Sequence, residues 1–120
     1  MAKTLQDYLG ASAALASGTL TVDLNELYAI LFPEKRVPYN LAGTVDETIA
    51  ILLGALNTTS KPVVDENGLE TSDPEDAIVS TQSFQPKTFE TRGNTSQVKH
   101  EFIFNVYTTD NTGFDPKLAV

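Results

Sequence analysis

The chain contains no cysteine and no tryptophan, and its 120 residues include a single histidine, His100. Disulfides, thiolate nucleophiles and cysteine-ligated metals are therefore excluded, as are zinc motifs that need two histidines. A Ser-His-acid triad would have to use His100, but the sequence contains no Gly-x-Ser-x-Gly elbow. We expect no cofactor, and we favour a protein without catalytic activity.

Long hydrophobic runs are also missing. The longest extends from Ile49 to Leu56, well short of the ~18 residues that a membrane-spanning helix needs. Near the N-terminus, Gln6 and Asp7 stand where the apolar region of a secretory signal would begin. The sequence therefore predicts a protein that neither binds nor spans a membrane, and we expect a cytoplasmic location.

Basic residues are scarce: eight lysines and arginines face sixteen acids, for a net charge of −8. The acids concentrate in residues 61–76, where six accompany one lysine. Because Asn67-Gly68 and Asp73-Pro74 favour turns, we predict that this segment is an exposed acidic loop. An EF-hand does not fit, since Gly68 at the glycine position would place Pro74 at the twelfth ligand. The charge balance also disfavours nucleic-acid binding.

Helical signals dominate the N-terminal half. Three helices are predicted, from Thr4 to Gly18, from Leu24 to Phe32 and from Thr44 to about Asn57. In the third helix, Thr44 and Glu47 have the spacing of a capping box. Its apolar residues recur at helical spacing, which predicts one buried stripe: Val45, Ile49, Leu52, Leu53 and Leu56.

The C-terminal half alternates apolar and polar residues with the period of a β-strand. The best strand runs over residues 97–109, with residues 78–91 as its partner. A two-residue turn at Gly93-Asn94 would place Phe89 opposite Val98. By the same register, Lys87 lies opposite His100.

These elements predict a single α+β domain over residues 1–120, in which the N-terminal helices pack on a small C-terminal antiparallel sheet. Pro86 cannot donate a hydrogen bond, so its strand is either an edge strand or bulged there. Two strands are marginally stable by themselves. We therefore expect a third strand, either residues 19–24 or a strand from another subunit.

The functional hypothesis rests on the apolar side chains that lie on both faces of the predicted strand over residues 97–109. Phe102 and Phe104 are expected to lie on the helices, while Ile103 and Tyr107, with Phe84, project outward. The outward face then needs its own cover: the acidic loop, a partner protein or a second copy. We predict a non-catalytic protein-binding or assembly module that can self-associate through the C-terminal sheet, with Phe84, Ile103 and Tyr107 at the contact.

The alternative hypothesis is a small-molecule-binding domain, or an enzyme of unfamiliar type, with a pocket between the helices and the sheet. Its first polar residues would be Lys87, His100 and Glu101, which the predicted register brings near one another. A solvated strand edge is the simpler explanation for these three residues. Nothing in the sequence places a nucleophile or a metal ligand beside them.

Overall fold

The computed structural model describes residues 3–62, 65–69, 77–80, 87–109 and 113–119. Its elements, in chain order, are α1 (Leu5–Leu9), β1 (Ala14–Ala16), β2 (Thr19–Thr21), α2 (Leu24–Leu31), α3 (Val45–Thr59), β3 (Ile78–Ser80), β4 (Lys87–Arg92), β5 (Thr95–His100), β6 (Phe104–Val106) and a 3-10 helix (Pro116–Leu118). Helices and antiparallel strand pairs together confirm the α+β class. In the part of the chain that is described, no helix has the length and apolar character to cross a membrane.

A capping box starts α1. The Thr4 hydroxyl accepts from the Asp7 N–H at 3.2 Å, and the Asp7 carboxylate accepts from the Thr4 N–H at 2.8 Å. The Thr4 N–H is one of the groups that have no intrahelical partner at a helix start, and the Asp7 N–H also donates to the Thr4 carbonyl at 3.1 Å. The hydrogen bond that the carboxylate accepts from the Thr4 backbone N–H, followed by that from the Thr4 side chain, holds the pKa of Asp7 below its usual range.

The prediction of a first helix reaching Gly18 is wrong, because α1 ends at Leu9. Gly10, with φ of +99°, follows it, and the chain then forms a hairpin in which β1 pairs with β2. The loop is Ser17-Gly18, with φ of +52° and +78°. Positive φ at both loop residues is the signature of a type I′ turn.

The core lies where α2 packs on α3. Leu27 of α2 is completely buried and contacts the buried Ile51 and Ala55 of α3. The two helices approach closely at Gly54, where an added Cβ would lie 3.1 Å from the Leu31 side chain. Small residues at this contact thus let α2 lie almost against the α3 backbone.

The bounds of α3 agree with the sequence, but its predicted buried stripe is only partly right: Leu52 packs against the core and Leu56 is half-buried, whereas the other three residues are exposed. Val45 is 78% exposed, and Ile49 and Leu53 are exposed as well. The contact with α2 instead uses the side of α3 that carries Ile51 and Ala55, because the small residues there allow the closest approach. The apolar arc of α3 is therefore wider than its neighbours cover, and we call the exposed part, Val45, Ile49 and Leu53, the α3 stripe.

The N-terminus of α3 also differs from the predicted capping box in one detail. The Thr44 hydroxyl accepts from the Glu47 N–H at 3.2 Å, as expected. The Glu47 carboxylate, however, accepts from the N–H groups of Ala42 and Gly43. The Glu47 carboxylate therefore ties the incoming loop to the helix, and each of its two oxygens accepts one of these hydrogen bonds.

The predicted hairpin register is confirmed: β4 pairs antiparallel with β5, with Phe89 opposite Val98 and Lys87 opposite His100. Gly93 has φ of +63°, which suits the first central position of a type II′ turn. The expected third strand at residues 19–24 is not part of this ladder, because β2 pairs with β1. A separate antiparallel pair joins β3 with β6, and we call the two pairs together the C-terminal ribbon.

The register changes between the two ladders of the ribbon. Ser80 lies opposite Phe104 and Lys87 opposite His100. The stretch from Ser80 to Lys87 is therefore three residues longer than the stretch from His100 to Phe104. Extra residues on one strand are what a bulge requires. The predicted irregularity at Pro86 itself lies outside the described residues.

Polar bonds attach the ribbon to the helices through β3. The Ser80 side chain is fully buried and donates to the Asn57 carbonyl at 2.9 Å, while its N–H donates to the Ser60 carbonyl. Phe104 is half-buried and lies opposite Ser80, so it shares the helix-facing side.

The described part of the acidic segment forms a turn. The Asp65 carboxylate accepts from the N–H groups of Asn67 and Leu69, both at 2.9 Å, and Gly68 has φ of +80°. All of residues 65–69 are exposed. The turn at Asn67-Gly68 is confirmed; residues 63–64 and 70–76 lie outside the described residues, so the exposed loop as a whole stays a prediction.

Candidate partner-binding surface

The β4–β5 hairpin presents two chemically different faces. Alternation along paired strands puts three residues of each strand on either side. One side, which we call the Phe89 face, carries Lys87, Phe89, Thr91, Ser96, Val98 and His100. The other, the polar face, carries Thr88, Glu90, Arg92, Thr95, Gln97 and Lys99.

Every residue of β4 and β5 is exposed, including the apolar pair at the centre of the Phe89 face. Phe89 is 77% exposed although it has a cross-strand neighbour, Val98. Apart from the lysine at position 87, the face has no permanently charged side chain. The Phe89 face is therefore a small apolar patch bordered by the hydroxyls of Thr91 and Ser96 and by the positive charge of Lys87.

Charged groups of both signs neutralise each other on the polar face. The Lys99 ammonium lies 3.0 Å from the Glu90 carboxylate and 3.2 Å from that of Glu101. Its hydrogen bond with Glu90, and then that with Glu101, raises the pKa of Lys99 above its usual range. An open hollow of about 360 Å³ lies beside Glu90 and Lys99, and Arg92, Gln97 and Val98 also line it.

Two of the three residues predicted for a partner contact are described, and both are solvent-exposed. Ile103, between β5 and β6, is 49% exposed, and Tyr107, just after β6, is 55% exposed. The Tyr107 N–H donates to the Ala77 carbonyl at 2.7 Å, so its backbone is fixed by the β3–β6 pair. Phe84 lies outside the described residues.

The residues of the alternative hypothesis do not form one enclosed site. Lys87 and His100 are exposed cross-strand neighbours at the end of the hairpin away from its turn. Glu101 is half-buried, and its carboxylate meets Lys99. Over the described residues, no group of three or more histidine or acidic side chains is placed to hold a metal ion.

Sequence reasoning missed two apolar surfaces. The sequence pairs Phe89 with Val98 without predicting a partner contact there, and it places the α3 stripe in the core. The only sequence signal for the first was the charged or polar character of most of its neighbours, Lys87, Thr88 and Glu90, which makes a core strand unsuitable. For the second, the small residues Gly54 and Ala55 indicated a close helix contact on another side of α3.

Among the residues that the structure describes, exposed large apolar side chains outnumber buried ones. The buried hydrophobic residues of the described part are Ala13, Leu27, Ile51 and Ala55. The accessible surface is 8879 Å², whereas a compact monomer of this mass has about 6,300 Å². The radius of gyration of 16.5 Å likewise exceeds the ~14 Å of a compact chain of this length.

Comparisons with protein-family models, with curated proteins and with solved structures found no match.

Proposed function

We propose that this chain is a non-catalytic assembly module that self-associates through its C-terminal β segments. The observation that carries the proposal is the fully exposed β4–β5 hairpin with Phe89 at its centre. Ile103 and Tyr107 add exposed apolar surface on the same C-terminal ribbon. These segments project apolar groups into solvent while the helices keep a small core of their own.

Burying such groups against another protein is favourable. Each Å² of apolar surface removed from water contributes about 25 cal/mol, and monomers rarely expose large contiguous apolar patches. A single exposed aromatic residue is ordinary. Here, however, Phe89, Ile103 and Tyr107 all lie on one ribbon, which supports a docking role.

The small-molecule alternative gains little support from the geometry. A ligand site is usually a concave, mostly apolar cleft with a few converging polar groups. Lys87 and His100 are solvated, and Glu101 is paired with Lys99. The cytoplasmic location and the lack of nucleic-acid binding stay predictions from the sequence.

Sedimentation velocity tests the proposal. We expect the mass of the wild-type chain to rise between about 1 μM and 1 mM, the concentration range of weak to moderate complexes. Replacing both Ile103 and Tyr107 by serine should weaken association at least tenfold, because apolar contact area is lost. Asn105→Ser, at an exposed position of β6 between them, is the matched control and should behave like the wild type.

The proposal fails if the wild-type chain stays monomeric over this whole range. It also fails if the Ile103/Tyr107 variant and a Phe89→Ser variant both associate as strongly as the wild type. Circular dichroism of each variant checks that the helices are retained.

A further inference from the structure

We infer that the Phe89 face of one copy docks on the α3 stripe of a second copy, which makes the assembly head-to-tail. This inference rests on the proposed function and names the partner surface that the function requires. The occupant is a second copy because both halves of the contact are present, and both are uncovered, on the same chain.

The first observation is the pair of unpartnered apolar surfaces. On α3, Val45 is 78% exposed and is followed at helical spacing by the exposed Ile49 and Leu53. On the hairpin, Phe89 and Val98 form an exposed cross-strand pair. Each surface remains open within its own chain, so each is available to another molecule.

The two surfaces also have similar lengths. Leu53 lies eight positions after Val45, which at ~1.5 Å per residue makes the α3 stripe about 12 Å long. Thr91 lies four positions after Lys87, which at ~3.4 Å per residue makes the Phe89 face about 14 Å long. One hairpin can therefore cover the whole stripe, with Phe89 over its middle residue, Ile49.

Their charges are complementary. The Phe89 face carries Lys87 at one end and no acid. Helix α3 carries Asp46 and Glu47 in its first turn and no lysine or arginine along its length. Asp46 precedes Ile49 by three residues and so borders the stripe. With the Lys87 end over the N-terminus of α3, opposite charges meet at the rim of an apolar contact.

Two other self-contacts lack this match. Two α3 stripes facing each other would bring together helices that offer only acids at their charged ends. Two Phe89 faces would bring together surfaces whose only permanent charge is a lysine. The contact between unlike surfaces is heterologous, so it closes into a ring or extends as a filament.

A mixing experiment with two single variants tests the head-to-tail contact. Phe89→Glu disables the hairpin surface and Ile49→Glu disables the helix surface, so each variant alone should associate at least tenfold more weakly than the wild type. Mixed in equal amounts, they should form a complex of two chains and no larger species. Each variant supplies the surface that the other lacks, and the assembly is capped at both ends.

Matched controls add the same charge nearby. Gln97→Glu places it on the polar face of the hairpin. Thr58→Glu places it on an exposed position of α3, roughly 180° around the helix from Ile49. Both controls should assemble like the wild type. If Ile49→Glu loses its helical signal, Val45→Glu replaces it, since Val45 is the most exposed residue of the stripe.

The outcomes separate the two levels of the hypothesis. If folded Ile49→Glu assembles by itself as strongly as the wild type, the α3 stripe is not the acceptor, and the head-to-tail contact is overturned while the proposed function stands. A mixture that remains monomeric, with both variants folded, overturns it as well. A wild-type chain that never associates overturns the proposed function and the contact together.

Discussion

At the scale of single residues, the ionisation of Asp7 makes the stability of α1 depend on pH. Its carboxylate accepts the Thr4 N–H at 2.8 Å, and the pKa of Asp7 lies below the ordinary 3.8. A carboxyl with a lowered folded-state pKa stabilises the fold above its unfolded-state pKa. That contribution disappears as the pH falls through the folded-state value. We expect α1 to loosen at a pH below 3.8, and Asp7→Asn to remove this pH dependence.

Amide chemical shifts of Thr4 and Asp7, followed during an acid titration, provide the measurement. The control is Asp46→Asn, which should leave the titration of both amides unchanged because Asp46 belongs to α3. Amide shifts in the wild type that stay constant through the acid range would contradict the expected role of the Asp7 carboxylate.

At the scale of elements, Gly54 determines how closely α2 approaches α3. A Cβ added there would lie 3.1 and 3.2 Å from the two methyl groups of Leu31. We expect Gly54→Leu to lower the free energy of unfolding by about 1–3 kcal/mol, because overpacking forces the helices apart. Urea unfolding measures the change.

Ala50→Leu is the matched control, because it adds the same side chain at an exposed position of the same helix. It should change stability by no more than about 0.5 kcal/mol. If both variants unfolded at the same urea concentration, the close contact at Gly54 would not be limiting.

Local signals explain which elements the sequence could predict. Asp23 caps α2 and Pro33 follows its end, so both bounds of that helix were readable. The turn at Gly93-Asn94 fixed the hairpin register, because a two-residue loop leaves one pairing for the strands. These signals act within a few residues and do not depend on the rest of the fold.

The errors arose where two local interpretations competed or where distant contacts decided. Gly18 suits the end of a helix, but with Ser17 it also suits a type I′ turn, and the hairpin formed. On α3, an apolar arc wider than one neighbour left several sides able to face the core. Gly54 and Ala55 marked a side on which a neighbour could approach closely, but the apolar periodicity of α3 did not show that α2 would pack there.

At the scale of the whole molecule, the described chain combines a small helical core with an exposed ribbon. The sequence predicted apolar groups on both faces of that ribbon, and with them a need for cover. It could not show that the hairpin would extend from the helices with Phe89 in solvent, because burial depends on contacts between distant elements. The same limit concealed the α3 stripe.

The exposed hairpin should therefore contribute to assembly without contributing much to folding. Lys87 and His100 are cross-strand partners, so an Asn-Gly turn can join them directly in place of residues 88–99. Because every residue removed is exposed, we expect the free energy of unfolding to change by less than about 1 kcal/mol. Self-association should fall at least tenfold, since the Phe89 face is lost.

Thermal unfolding and sedimentation velocity on the same preparation separate these two effects. The control exchanges Gly93-Asn94 for Asn-Gly within the full-length hairpin, which keeps a two-residue turn and the Phe89 face. A shortened chain that unfolds far more easily than this control would place the hairpin among the elements that stabilise the fold. If the shortened chain still assembled normally, the docking surface would lie outside β4 and β5, and Ile103 and Tyr107 would be the remaining candidates.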